Sequence, residues 1–136
     1  MTDDEIRAAN RATLERSFGA VSKGDVDAQL EFCTEDLEIR FPYSDPPGHL
    51  QGKETIRPYL KRALTTFEFE LHLDRIYDLV DPNVLIAEYT SAGRVTTTGK
   101  PYANAYVGIV HFRDGQICAQ VEYYNPQAAV RALTPD

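Results

Sequence analysis

Ala105-Tyr106-Val107-Gly108-Ile109-Val110-His111-Phe112, then Arg113-Asp114-Gly115-Gln116, then Ile117-Cys118-Ala119-Gln120-Val121-Glu122-Tyr123-Tyr124 is the stretch that decides the fold. Two apolar, β-branched and aromatic runs flank Asp-Gly, the strongest short-range hairpin signal. A two-residue turn at Asp114-Gly115 pairs Phe112 with Ile117 and Val107 with Glu122. One face is then Tyr106, Gly108, Val110, Phe112, Ile117, Ala119, Val121 and Tyr123. The other is Val107, Ile109, His111, Cys118, Gln120, Glu122 and Tyr124. Glu122 therefore stands among Val107, Ile109 and Tyr124. A carboxylate held dry in that company resists ionisation and suits acid-base work near neutral pH. The hairpin alone leaves the other reading open, a solvated strand glutamate.

Working outward, the chain N-terminal to the hairpin alternates over long runs. Phe67, Phe69, Leu71 and Leu73 alternate with Glu68, Glu70, His72 and Asp74, and Ile76 to Val80 continues the strand. Asp81-Pro82-Asn83 turns, and Val84 to Thr98 is a strand bent at Gly93. Leu37-Glu38-Ile39-Arg40-Phe41 is a shorter strand, after a turn at Thr34-Glu35-Asp36. Pro42 to Gly52, with three prolines and two glycines, reads as a loop. Helical spacing runs from Asp3 to about Ser22, from Val26 to Cys33 behind an Asp25 cap, and from Lys53 to Thr65. Asn125-Pro126 opens a short last helix through Leu133. Helices first and strands after indicate an α+β domain: a cone-shaped, curved, mostly antiparallel sheet packed against three helices of the N-terminal half. The mouth of such a cone is a natural small-molecule site.

The 136 residues suit one domain spanning 1–136. The net charge is −7, with no basic stripe, which argues against nucleic acid and anionic membranes. The acidic start Met1-Thr2-Asp3-Asp4-Glu5 is not a signal peptide, and no apolar run approaches the ~20 residues of a membrane span. A cytoplasmic protein is expected, with Cys33 and Cys118 as buried free thiols. His49, His72 and His111 are scattered and share no metal-ligand spacing, and no nucleotide loop is present, so neither metal nor cofactor is expected. A hairpin apolar on both faces must cover both, which predicts a homodimer.

The element order, the Gly24-Asp25 between the first two helices, and the stretch from Glu35-Asp36 to Gly52-Lys53 resemble the nuclear transport factor 2-like superfamily. That superfamily includes ketosteroid isomerases and SnoaL-type polyketide cyclases. The phenazine-biosynthesis A/B branch is similar at Asn10-Arg11-Ala12-Thr13-Leu14-Glu15. It is similar also at Asp81-Pro82-Asn83 with Glu88, Gly93 and Arg94, at Asp114-Gly115-Gln116-Ile117, and from Glu122-Tyr123-Tyr124-Asn125 to Arg131-Ala132-Leu133. The resemblance implies a cofactor-independent enzyme with a pocket acid at Glu122. It departs where the phenazine branch carries a histidine and a serine after Gly-Lys, here Tyr59 and Ala63. It departs again where ketosteroid isomerases carry an aspartate base and an oxyanion-hole tyrosine, here Phe41 and Ser17.

The expected function is isomerase- or cyclase-type proton transfer on a hydrophobic cyclic carbonyl compound. Glu122 carries the proton, and Tyr59 or Tyr43 hydrogen-bonds the carbonyl. Phe41, Val107 and Tyr124 are expected to contact the ligand, His49 to cover the pocket from its loop, and Glu88 to approach Glu122 and raise its pKa. The alternatives are a non-catalytic binder of a hydrophobic metabolite and a phenazine-type condensation factor.

Overall fold

The computed structural model describes residues 1–136. Helix α1 (Asp3–Ser22) starts at Thr2, whose hydroxyl accepts from the Glu5 amide at 3.1 Å, and three acidic side chains fill its first turn. Helix α2 (Val26–Glu31) is capped by Asp25, which accepts from the Ala28 amide at 3.0 Å. Strand β1 (Cys33–Phe41) follows, then β2 (Gly48–Gln51), α3 (Lys53–Thr66), β3 (Phe67–Asp78), β4 (Val84–Val95), β5 (Pro101–Arg113), β6 (Gln116–Tyr124) and α4 (Pro126–Leu133). The six strands form one sheet in the order β2-β1-β6-β5-β4-β3. All neighbours are antiparallel except β1 and β6, which run parallel. Helices α1, α2 and α3 cover the concave side, and Leu14, Leu30, Leu37, Ile56, Leu85 and Ile117 are the largest apolar side chains fully buried there. No helix is long and apolar enough to cross a membrane.

Local sequence explains most boundaries. Asp114 and Gly115 both have positive φ (52° and 78°), as a two-residue hairpin turn of this kind demands. Pro58 falls in the second turn of α3, where it removes only one helical hydrogen bond. Asn125 caps α4 by accepting from the Gln127 amide at 3.0 Å, with Pro126 as the first helical residue. Asn10 is buried in α1 and donates to the Pro82 carbonyl at 3.1 Å, fastening the helix to the β3–β4 turn.

Four local expectations are corrected. Thr34-Glu35-Asp36 is not a turn: α2 stops at Glu31 and the chain enters β1 at Cys33, with an irregular register before Glu38. The proline-rich loop contains strand β2, an edge strand too short for alternation to show. Cys118 is only half-buried, whereas Cys33 is buried. The fourth concerns the hairpin. The register starts as the turn dictates, Arg113 with Gln116 and Phe112 with Ile117, then jumps to His111 with Ala119. Cys118 is the extra residue of a β-bulge. One slipped residue moves every later side chain to the opposite face. Glu122 consequently pairs with Gly108, and Val107 pairs with Tyr123.

Candidate active site

The concave side of the sheet encloses a cavity of about 300 Å³, lined mainly by apolar and aromatic side chains. Beyond the Cys118 bulge, Gln120, Glu122 and Tyr124 of β6 line this cavity together with Tyr106, Gly108 and Val110 of β5. The Tyr89 hydroxyl donates to Glu122 Oε1 at 2.5 Å. Tyr89 lies on β4, so its ring must cross β5 to reach β6. Gly108 makes that crossing possible: a Cβ there would sit 3.1 Å from Tyr89 Cε1 and from its hydroxyl. The ring is held between Phe18, edge-on at 4.7 Å, and Tyr106, stacked at 4.9 Å.

Burial raises the Glu122 pKa from its ordinary 4.5 to about 6, and the Tyr89 hydrogen bond holds it back from rising further. Near neutral pH the group is therefore mostly carboxylate with the acid form within easy reach, the condition general acid-base catalysis favours. Burial also raises the pKa of Tyr89, Tyr102, Tyr106 and Tyr59, so these phenols keep their protons and serve as donors. Tyr106 shares hydrogen bonds with Ser91 at 2.8 Å and Tyr102 at 3.1 Å. Asn104 donates to the Tyr102 hydroxyl at 2.8 Å and to the Asn125 carbonyl at 2.9 Å, tying this phenol chain to the start of α4. No group of three His, Cys, Asp or Glu side chains gathers at metal-binding distance.

The structure brings together Glu122, Tyr59, Phe41 and Tyr124 around the cavity. Tyr59 is 36% exposed at its rim, with its ring 6.1 Å from Phe41. Tyr124 shares a 2.6 Å hydrogen bond with Ser44. Four expected residues lie elsewhere. Val107 is 40% exposed on the outer face, since β5 turns Tyr106, Gly108 and Val110 inward and the bulge brings Glu122 to their side rather than to that of Val107. Glu88 shares that outer face, exposed and hydrogen-bonded to the Tyr77 hydroxyl, with the sheet between it and Glu122. Tyr43 is exposed and packs edge-on against Tyr123 at 5.2 Å. His49 lies on edge strand β2, exposed and 3.0 Å from Glu38, and covers nothing. Tyr89 was missed. Its signal was available in principle: a tyrosine in β4 whose neighbour in β5, two positions from Tyr106, is glycine.

A SnoaL-like domain profile matches residues 14–120. The chain belongs to the SnoaL-like family. The Bacillus subtilis (strain 168) protein YesE is 30% identical over 128 residues, 89% of this chain and 84% of that protein. Phenazine biosynthesis protein PhzA1 of Pseudomonas aeruginosa is 26% identical over 137 residues, 96% of this chain and 83% of that one. A crystal structure of a Bacillus subtilis protein superposes with a TM-score of 0.86 at 27% identity, covering 97% of this chain and 95% of that one. The nuclear transport factor 2-like fold implied by the element order is thus the fold observed.

Tyr89→Phe tests the central contact of this SnoaL-like site. Removing the donor leaves the carboxylate less stabilised, so the Glu122 pKa moves above about 6. Carboxyl-carbon NMR titration of Glu122 reads the shift. An unchanged or lower value rejects the hydrogen bond as a tuning contact.

Proposed function

We propose that this protein is a cofactor-independent isomerase or cyclase acting on a hydrophobic cyclic carbonyl compound. The observation that supports this best is a single carboxyl group, Glu122, buried in a largely apolar cavity and held by one phenol. The Glu122 carboxylate removes a proton from the carbon next to the carbonyl. The electron pair of that C–H bond moves onto the carbonyl oxygen, giving an enolate. The Tyr59 hydroxyl at the rim hydrogen-bonds the developing oxyanion, and the protonated Glu122 returns the proton to the same or a conjugated carbon. No oxidant, leaving group or metal enters this balance. Membership of the SnoaL-like family supports the reading, since cyclases and isomerases are what the resemblance implied.

The test is hydrogen–deuterium exchange next to the carbonyl across a set of cyclic ketones, followed by NMR. Exchange should rise with pH through an apparent pKa of about 6 and level off above it, because the carboxylate is the active form. A profile with no inflection between about pH 5 and 7 rejects Glu122 as the base.

A second reading, a non-catalytic binder of an apolar metabolite or a phenazine-type condensation factor, draws on PhzA1 and on Tyr59 and Ala63. Both side chains line the cavity, where the resemblance implies the histidine and serine of the phenazine branch. Under this reading ketones bind but do not exchange. We also propose a homodimer formed through the outer sheet face, where Val107, Ile86 and Ile109 keep apolar surface open. Sedimentation equilibrium at the 15.3 kDa of one chain overturns that assembly.

A further inference from the structure

The bulge at Cys118 turns two polar side chains of β6 into the cavity, and the proton transfer uses only one of them. Glu122 is the base. Gln120 stands two residues before it on the same face, about 7 Å along the strand. Bulges re-aim side chains, and this one sets an amide opposite Val110, where the unbulged register would set Ala119.

The surroundings of Gln120 are those of a core position. It pairs with Val110 of β5 and Ile39 of β1, both only 3% exposed, and Phe112 and Ile117 are buried behind it towards the hairpin turn. Gln120 itself is only partly buried. Its side-chain amide makes no hydrogen bond within the protein, and neither its oxygen nor its nitrogen is closed off, so both open into the cavity. Gln120 is thus a polar group on the cavity floor, while Tyr59 and Tyr124 stand towards the rim. Glu122 lies between the two ends.

A ligand that fills the cavity displaces the water that solvates this amide. A hydrocarbon edge laid against it leaves donor and acceptor unpaired, whereas a ligand oxygen restores the hydrogen bond. The carbonyl oxygen held by Tyr59 cannot be that partner, because it lies on the rim side of Glu122 and Gln120 lies on the floor side. A second oxygen is required, on the other flank of the carbon that faces Glu122. That oxygen is uncharged: the lining holds no Lys, Arg or His to pair an anion, and Glu122 is itself mostly carboxylate near neutral pH.

We propose that Gln120 is a specificity residue that hydrogen-bonds a second, uncharged oxygen of the substrate, a hydroxyl or carbonyl flanking the carbon that faces Glu122 on the side opposite the ketone. This rests on the reading of the cavity as a site for cyclic carbonyl compounds. A ring without the second oxygen binds more weakly, because it leaves the Gln120 amide unpaired.

The test is binding, not turnover. β-Tetralone, 8-hydroxy-β-tetralone and 5-hydroxy-β-tetralone are titrated by calorimetry against the wild-type protein and Gln120→Met, which keeps the side-chain length and removes the amide. The 8-hydroxy isomer carries its hydroxyl beside the reactive methylene, on the flank away from the carbonyl. The 5-hydroxy isomer carries it across the ring. The 8-hydroxy isomer should bind the wild type about tenfold more tightly than either other ketone. In Gln120→Met that ratio should fall towards one, with β-tetralone bound at least as tightly as by the wild type. The side-chain amide NMR signals of Gln120 should shift further with the 8-hydroxy isomer than with the 5-hydroxy isomer, a reading that needs no variant. Equal affinity of the two hydroxylated isomers, a preference that survives in Gln120→Met, or Gln120 amide signals that answer both isomers alike each overturn the proposal. If none of the three ketones binds, the reading of the cavity falls, and this proposal with it. If they bind with the expected preference but exchange no proton, the proposal stands and only the proton transfer at Glu122 falls.

Discussion

Glu122→Gln should lower proton exchange next to the carbonyl by about 10²–10⁴-fold, the usual contribution of a positioned acid-base group. Ligand affinity should stay within about threefold, because the neutral amide matches the carboxylic acid in shape and a loss confined to turnover marks a transition-state role. The same substitution has an opposite effect on stability. The folded-state pKa of Glu122 is raised, about 6 against 4.5, so the folded protein holds this proton after the unfolded chain has lost it. Stability therefore falls as pH rises between those two values, by about 2 kcal/mol in full. Glutamine carries no charge to bury. The variant should match the wild type below about pH 4 and exceed it at neutral pH by about 7 °C in melting temperature. Loss of exchange with gain of stability is a signature that neither a misfolded variant nor an exposed glutamate produces. Exchange that persists in the variant removes Glu122 from the mechanism and assigns the base to another group.

That prediction depends on which way Glu122 faces, and the sequence pattern pointed to the wrong neighbours. The Asp114-Gly115 turn, the strands it joins, the three N-terminal-half helices and their caps at Thr2 and Asp25 all follow from local residue chemistry and were legible. The bulge at Cys118 was not. Unbulged, the inward face of β6 would carry Ala119, Val121 and Tyr123, an apolar set fully compatible with a core. Bulged, it carries Gln120, Glu122 and Tyr124. Alternation favours the first register, and β5 is apolar on both faces, so it offers no opposing signal. Glu122 faces the cavity as expected, but beside Gly108 and Tyr89 rather than Val107. Val107 stands outside by the alternation of β5 itself, and the slip separates it from Glu122. Glu88 fails for a different reason: it does share a face with Ile86, but that is the outer face of the sheet. Tyr89 escaped notice because its contact spans three strands and exists only where Gly108 leaves room, a relation that no single strand's pattern carries. The likeness to the phenazine branch singled out Glu122 as a candidate, and burial in the cavity is the physical cause of its raised pKa.

The largest effect on stability is expected at Gly93, where the sequence already placed the bend of β4. A Cβ there would lie 2.0 Å from the Glu68 carbonyl oxygen and 2.6 Å from Phe69 Cα. Both are backbone atoms of the paired strand β3, which cannot rotate aside as a side-chain tip can. Gly→Ala elsewhere stabilises by about 0.4–1 kcal/mol through the unfolded chain, so the steric cost must first overcome that gain. Contacts this short belong at or above the top of the usual 1–3 kcal/mol for overpacking. Gly93→Ala should therefore lose about 3 kcal/mol or more and about 10 °C in melting temperature. The damage should reach the cavity as well. Phe69 stacks against Tyr102 at 6.1 Å, and Phe67 lies 4.9 Å from the same ring, so moving β3 opens the wall beneath α4. Gly19→Ala is the matched control: it sits in α1 with nothing within 4 Å of the added methyl, and should stabilise by about 1 kcal/mol. Thermal denaturation of the two variants side by side separates a steric role from a general effect of removing glycine. If Gly93→Ala melts at or above the wild-type temperature, the curvature of the sheet is not set by the close approach of β3 and β4. The cone, and with it the distance from Tyr102 to α4, must then be held by the helices alone.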